Sequence, residues 1–205
     1  MELFSYFRSS AAYRVRIALN IKGIPHTLTD VNLLEGDHRR APYLAFNPQG
    51  LVPTLKLDDG RVINQSPAML EYLEAVYPER TLLPEDPYDA AVVRNWCSLI
   101  ACDIHPVNNL RILKFLTGTL SVSEDEKLNW YRHWIKLGFE ALEPQLSANP
   151  YCFGSNITFA DLYLIPQVYN ALRFHQDMTD FPKIQQIYET CNQLDAFIKA
   201  SPDHN

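Results

Sequence analysis

The chain has 205 residues, close to half of them apolar, with a net charge of −6 and no low-complexity tract. That composition excludes a disordered protein, and without a basic stripe it argues against nucleic acid as the main partner. Its four cysteines (Cys97, Cys102, Cys152, Cys191) show neither Cys-x-x-Cys pairing nor metal-ligand spacing with histidine, so no metal site and no disulfide framework is expected. No apolar run is long enough to span a bilayer and no signal-like segment follows Met1, which points to a reducing cytosol and to no membrane partner.

In chain order, the first elements are a strand at 2–6 and a helix at 10–22 that buries Ala11, Val15, Ala18 and Leu19 on one face. A strand at 27–31, an irregular stretch at 34–50, strands at 54–57 and 61–64 and a helix at 67–77 follow. Asp58-Asp59-Gly60 between two apolar runs is a hairpin signal. Pro78, Pro84 and Pro87 punctuate a polar connector, beyond which helical periodicity runs through 88–116, 123–147, 159–174 and 181–199. The reading is an α/β module over 1–80, a linker over 81–87 and an all-α domain over 88–205.

Three local features point to a ligand. Ser9 and Ser10 open the first helix, with no Glu or Gln three residues on to close a capping box, so its N–H groups and positive dipole end face outward. A simple cap is the blander reading of the same serines. Pro53 belongs at the very start of its strand, and a cis Val52–Pro53 bond would present the Val52 backbone for pairing with an extended ligand. A trans proline in a plain turn is the simpler reading of these residues alone. Gln65-Ser66-Pro67 is a second helix start, with Ser66 as N-cap, and could hold a carboxylate. Together these features fit a ligand with a thiol, an amide backbone and a terminal carboxylate. Thr158-Phe159-Ala160-Asp161 reads differently, as a capping box with Ile157 stapling onto Leu162, and is structural. Arg16 is also read as structural.

The stretch Ser5-Tyr6-Phe7-Arg8-Ser9-Ser10, with Arg14-Val15-Arg16-Ile17-Ala18-Leu19 behind it, resembles zeta-class glutathione transferases. So do Asn47-Pro48, Val52-Pro53-Thr54-Leu55, Gln65-Ser66, Asp103-Ile104-His105-Pro106, Asn108-Asn109, Pro166-Gln167-Val168 and Arg173-Phe174. That resemblance covers nearly the whole chain. It implies a thioredoxin-like N-terminal domain and a helical C-terminal domain. The implied cofactor is glutathione and the implied reaction is cis–trans isomerisation of maleylacetoacetate to fumarylacetoacetate, by reversible thiolate addition. Maleylpyruvate is the alternative substrate, with small halo-acids a further enzymatic option and a non-catalytic interaction module the option from another class.

On this resemblance Ser9 and Ser10 hold the thiolate, while Arg8 and Arg173 hold substrate carboxylates, with Arg111 a further candidate. Val52, Gln65, Ser66, His38, His105, Asn109, Arg111 and Asp103 contact glutathione, Asp103 across a homodimer interface. Ala11 stands where the family pattern usually has cysteine, so the reactive sulfur has to come from glutathione itself.

Overall fold

The computed structural model describes residues 1–204. They fall into two compact units, one comprising Met1–Thr81 with the C-terminal stretch from Asn192, the other Leu82–Cys191. The first unit thus draws its last stretch from the far end of the chain.

In the first unit, β1 (Glu2–Ser5), β2 (Thr27–Asp30), β3 (Thr54–Lys56) and β4 (Val62–Asn64) form one sheet in the order β2-β1-β3-β4. β1 and β2 are parallel, with Ser5 opposite Asp30. β3 is antiparallel to both neighbours, with Phe4 opposite Thr54 and Thr54 opposite Asn64. α1 (Ser10–Lys22) and α3 (Ser66–Val76) pack together, and the irregular stretch carries a short helix, α2 (Ala41–Leu44).

α1 is not amphipathic in the expected way. Ala11 is half-buried, whereas every residue from Ala12 to Leu19 is buried, Arg14 and Arg16 included. The reason is the C-terminal stretch: Arg16 donates from Nε to the Ala200 carbonyl (2.9 Å), and Asn20 donates to the Ala196 carbonyl (3.0 Å). The other Arg16 nitrogens bind Ser5 Oγ (2.9 Å) and the Phe7 carbonyl (3.0 Å). Burial lowers the Arg16 guanidinium to about 10, which still leaves it charged at neutral pH. Three oxygen acceptors make that buried charge tolerable.

In the second unit the expected helix over 88–116 is broken. α4 (Pro87–Ser98) passes into a π-helical turn, Leu99–Ile104, and α5 (Leu110–Gly118) starts afresh after Asn109. Pro106 has no N–H to continue the helix, and the Asn109 side chain caps the new one. α6 (Glu124–Leu142) packs on the π-turn at Gly138, where a Cβ would come within 2.2 Å of Ile104. Two anchors then tie the segment between the π-turn and α5 to α6: Asn108 Nδ2 donates to the Tyr131 carbonyl (3.0 Å) and Trp130 Nε1 to the Val107 carbonyl (3.0 Å).

α7 (Phe159–Arg173) forms the centre of this unit, and α8 (Pro182–Cys191) lies against it. The capping box is present: Thr158 N–H and Oγ1–H donate to Asp161 Oδ2 at 2.8 and 3.2 Å. Asp161 Oδ1 also accepts the Cys152 N–H at 2.8 Å. Burial pushes the Asp161 carboxyl up, and these donors pull it back. The last expected helix is also divided, into α8 and α9 (Asp195–Ile198), the latter on the first unit.

Two predictions follow from the packing. Asp161→Ala removes a cap and strands the buried Thr158 and Cys152 N–H groups, so stability falls by about 3 kcal/mol in urea unfolding. A loss below about 1 kcal/mol contradicts that role. Only Cys102 is exposed, and burial pushes the Cys152 and Cys191 thiols up. A disulfide-exchange reagent is therefore expected to titrate one thiol in the native chain and all four after denaturation.

Candidate active site

The register of the sheet decides which loops meet. β1 ends where β3 begins and β4 ends, because Phe4, Thr54 and Asn64 stand side by side across the three strands. Tyr6–Ser10, Leu51–Pro53 and Gln65–Ser66 therefore leave the sheet at the same end. Across that end the order is the Ser9 turn, then Val52, then Gln65.

Ser9 N–H donates to the Tyr6 carbonyl (2.9 Å), which turns the chain from β1 into α1. Its Oγ then accepts the Ala12 N–H (3.2 Å), so Ser9 is the N-cap. Accepting that bond leaves the Ser9 hydroxyl hydrogen able to donate to an anion. Ser10 is the first residue of α1 and is buried. The first turn of α1 carries no acidic side chain, so the positive dipole end is not neutralised locally.

Val52 lies beyond Thr54, the last paired residue of β3, and its bond to Pro53 is cis. The simpler trans reading of Pro53 is thereby corrected. No hydrogen bond within the protein engages the Val52 N–H or C=O among the described residues. An extended ligand can pair there as an added strand.

Gln65, not Ser66, is the N-cap of α3, so Ser66 is its first residue and Pro67 its second. Gln65 sits at φ 72° and ψ 118°, a region a residue with a Cβ occupies at a cost of about 1–3 kcal/mol. Its Nε2 donates to Gln49 Oε1 at 2.7 Å. Ser66 is buried and its Oγ accepts from Arg14 Nη1 at 3.4 Å. A buried guanidinium thus lies directly behind the start of α3. Two helix N-termini and this cation give the sheet end a positive character in a chain of net charge −6.

The remaining candidates are more dispersed. His38 is half-buried in a turn (Asp37–Arg39) on the connection between β2 and α2. Gly50 runs so close to it that a Cβ would come within 2.8 Å of the His38 carbonyl. Arg8 is exposed, with its guanidinium 5.0 Å from the Phe7 ring. In the second unit, Asp103, His105, Asn109 and Arg111 cluster where the π-turn gives way to α5. The Asn109 oxygen is engaged there as the α5 cap, accepting the Arg111 N–H at 3.1 Å. Arg173 is exposed at the end of α7, 4.9 Å from the Phe174 ring, and Phe174 stacks on Tyr131 at 3.8 Å.

Arg14 and Gln49 stand here beside the residues that the sequence assigns to the site. The signal for Arg14 is its place beside Val15 on a buried stretch of α1, where an arginine must be paired. Gln49 carries no such signal, because only the fold brings it to Gln65.

Comparison with known proteins places this geometry. Residues 8–76 match the model of the glutathione S-transferase N-terminal domain, and residues 134–195 that of the C-terminal domain. The chain is 46% identical to a probable maleylacetoacetate isomerase of Vibrio cholerae, over 98% of this chain and 95% of that protein. It is similar to the holo structure of a maleylpyruvate isomerase, a bacterial zeta-class glutathione S-transferase, with TM-score 0.96 and 42% identity. That match covers 100% of this chain and 98% of the other. A maleylacetoacetate isomerase from Methylobacterium extorquens AM1 with bound malonate and glutathione matches at TM-score 0.95 and 35% identity, covering 100% and 98%. The chain belongs to the zeta-class glutathione transferase family, alongside maleylacetoacetate and maleylpyruvate isomerases.

Proposed function

We propose that this chain is a glutathione-dependent isomerase that converts maleylacetoacetate to fumarylacetoacetate. The observation carrying this reading is the order of features at the sheet end. The Ser9 helix start suits a thiolate, the Val52 backbone suits a peptide, and Gln65 with Ser66 suits a carboxylate, side by side in that sequence. Glutathione offers these groups in the same order, and a relative of the same fold carries it together with the dicarboxylate malonate. When bound, glutathione supplies a thiolate that adds reversibly to the activated double bond, leaving a single bond free to rotate.

Ser9 donates its hydroxyl to that sulfur, and the α1 dipole favours its ionised form. Ser10 contributes the N-terminal turn of α1. Arg14, behind Ser66, draws the ligand carboxylate to the start of α3. Arg8 and Arg173 are the proposed forks for the two carboxylates of the substrate, both with exposed guanidinium groups. Arg111 is the reserve candidate for that task. His38, Asp103 and His105 are proposed as further glutathione contacts, and Asn109 as a cap that places Arg111. We also propose that the chain works as a homodimer in the cytoplasm; no helix of the described residues is long and apolar enough to cross a membrane.

A second reading keeps the chemistry and takes maleylpyruvate, supported by His105-Pro106-x-Asn108-Asn109-x-Arg111 and by the maleylpyruvate isomerase of TM-score 0.96. The deciding assay follows ultraviolet absorbance of each substrate with and without glutathione. Glutathione-dependent loss of maleylacetoacetate, faster than of maleylpyruvate, is expected; the reverse order assigns the second substrate. Turnover without glutathione, or none with it, overturns both. In the same assay Ser9→Ala is expected to lower kcat about a hundredfold, as for loss of a donor to a reacting anion. Ser9→Thr is expected to retain most activity, and equal loss in both variants contradicts the assigned role.

A further inference from the structure

A polar cluster runs from the irregular stretch before β3 into β3 and β4, and two of its members bond Leu51, the residue before Val52. Tyr43, at 7% exposure, donates its hydroxyl to the Leu51 carbonyl at 2.5 Å. Asn47, at 1%, donates to the same carbonyl at 2.7 Å and to Thr54 Oγ1 at 3.1 Å. Thr54, fully buried, donates to Asn64 Oδ1 at 2.9 Å, and Asn64 Nδ2 donates to the Phe46 carbonyl at 3.2 Å.

The protons assign themselves. Thr54 has one hydrogen and gives it to Asn64, so its oxygen is free to accept from Asn47. Asn47 has two and gives one to Thr54 and one to Leu51. Tyr43 has one and gives it to Leu51, its oxygen lying 2.9 Å from Thr54. Burial pushes the Tyr43 phenol up, so it stays a donor at neutral pH.

A planar trans peptide points its C=O and N–H in opposite directions. Two buried donors pulling the Leu51 carbonyl inward therefore aim the Val52 N–H away from the cluster. The same cluster, through Asn64, holds the residue just before Gln65, whose backbone is in the left-handed half of φ space. One hub thus sets both neighbouring ligand-facing turns of the sheet end.

We propose that Tyr43, Asn47 and Thr54 are positioning residues that orient the Val52 N–H toward the backbone of the bound tripeptide. This rests on the glutathione reading above. None of the three touches the ligand in this account; each acts through Leu51 or Asn64.

Calorimetric titration of the full chain with glutathione tests it, because Kd and the fraction of chains that bind are read separately. Tyr43→Phe is expected to raise Kd about tenfold with the binding fraction unchanged. Thr54→Val, which replaces the hub hydroxyl with a methyl, has the same effect, and Thr54→Ser restores Kd to within about twofold. A lower binding fraction at wild-type Kd means the cluster only supports folding and overturns the proposal, as does an unchanged Kd in Tyr43→Phe. Should Thr54→Val not fold, Tyr43→Phe and Thr54→Ser decide alone. A wild type that binds no glutathione removes the underlying reading as well, so the two failures are distinguishable.

Discussion

The antiparallel ladder that sets Phe4 against Thr54 and Thr54 against Asn64 decides where the turns at Ser9, Val52 and Gln65 lie. A shift of one residue in either pair would turn the inward faces of β3 and β4 outward and separate the three turns. Thr54 is the common member of both pairs, and it is fully buried and hydrogen-bonded through its side chain as well. Backbone register and side-chain polarity thus agree on one alignment, which is how a sheet with only three or four residues per strand keeps its site in place.

The second constraint is electrostatic. α1 carries two arginines into the interior of an acidic protein, Arg16 on three oxygen acceptors and Arg14 beside the Ser66 hydroxyl. Arg16 holds the C-terminal stretch and the Phe7 carbonyl at once, so the turn that presents Ser9 is braced from behind. Arg14 stands behind Ser66. These charges are far less screened than surface ones, and they favour an anion at the end of the sheet where α1 and α3 begin.

Much of this was legible in the sequence. Alternation and turn residues mark the four strands and the Asp58-Asp59-Gly60 hairpin, and the serines and prolines mark the helix starts. What misled was non-local. α1 looks one-faced because nothing near it in sequence reveals that the chain from Asn192 returns to cover its other side. The helix over 88–116 looks continuous because its periodicity survives Pro106; only the packing of Gly138 under Ile104 shows why a π-turn fits there. Residue type points to Ser66 as the cap of α3, yet the capping position falls to Gln65, whose backbone conformation has no sequence signature. The stretch 34–50 shows no periodicity, although Tyr43 and Asn47 in it hold the Leu51 carbonyl just before the cis Val52–Pro53 bond.

On the proposed function, the helix start at Ser9 stabilises a thiolate that the chain itself does not own, Ala11 offering none. Ultraviolet difference titration of the glutathione thiol in the complex measures this directly, since the thiolate absorbs where the thiol does not. The bound thiol is expected to ionise at least about one pH unit below free cysteine's usual value of about 8.5. A bound thiol that ionises at or above that value would contradict it.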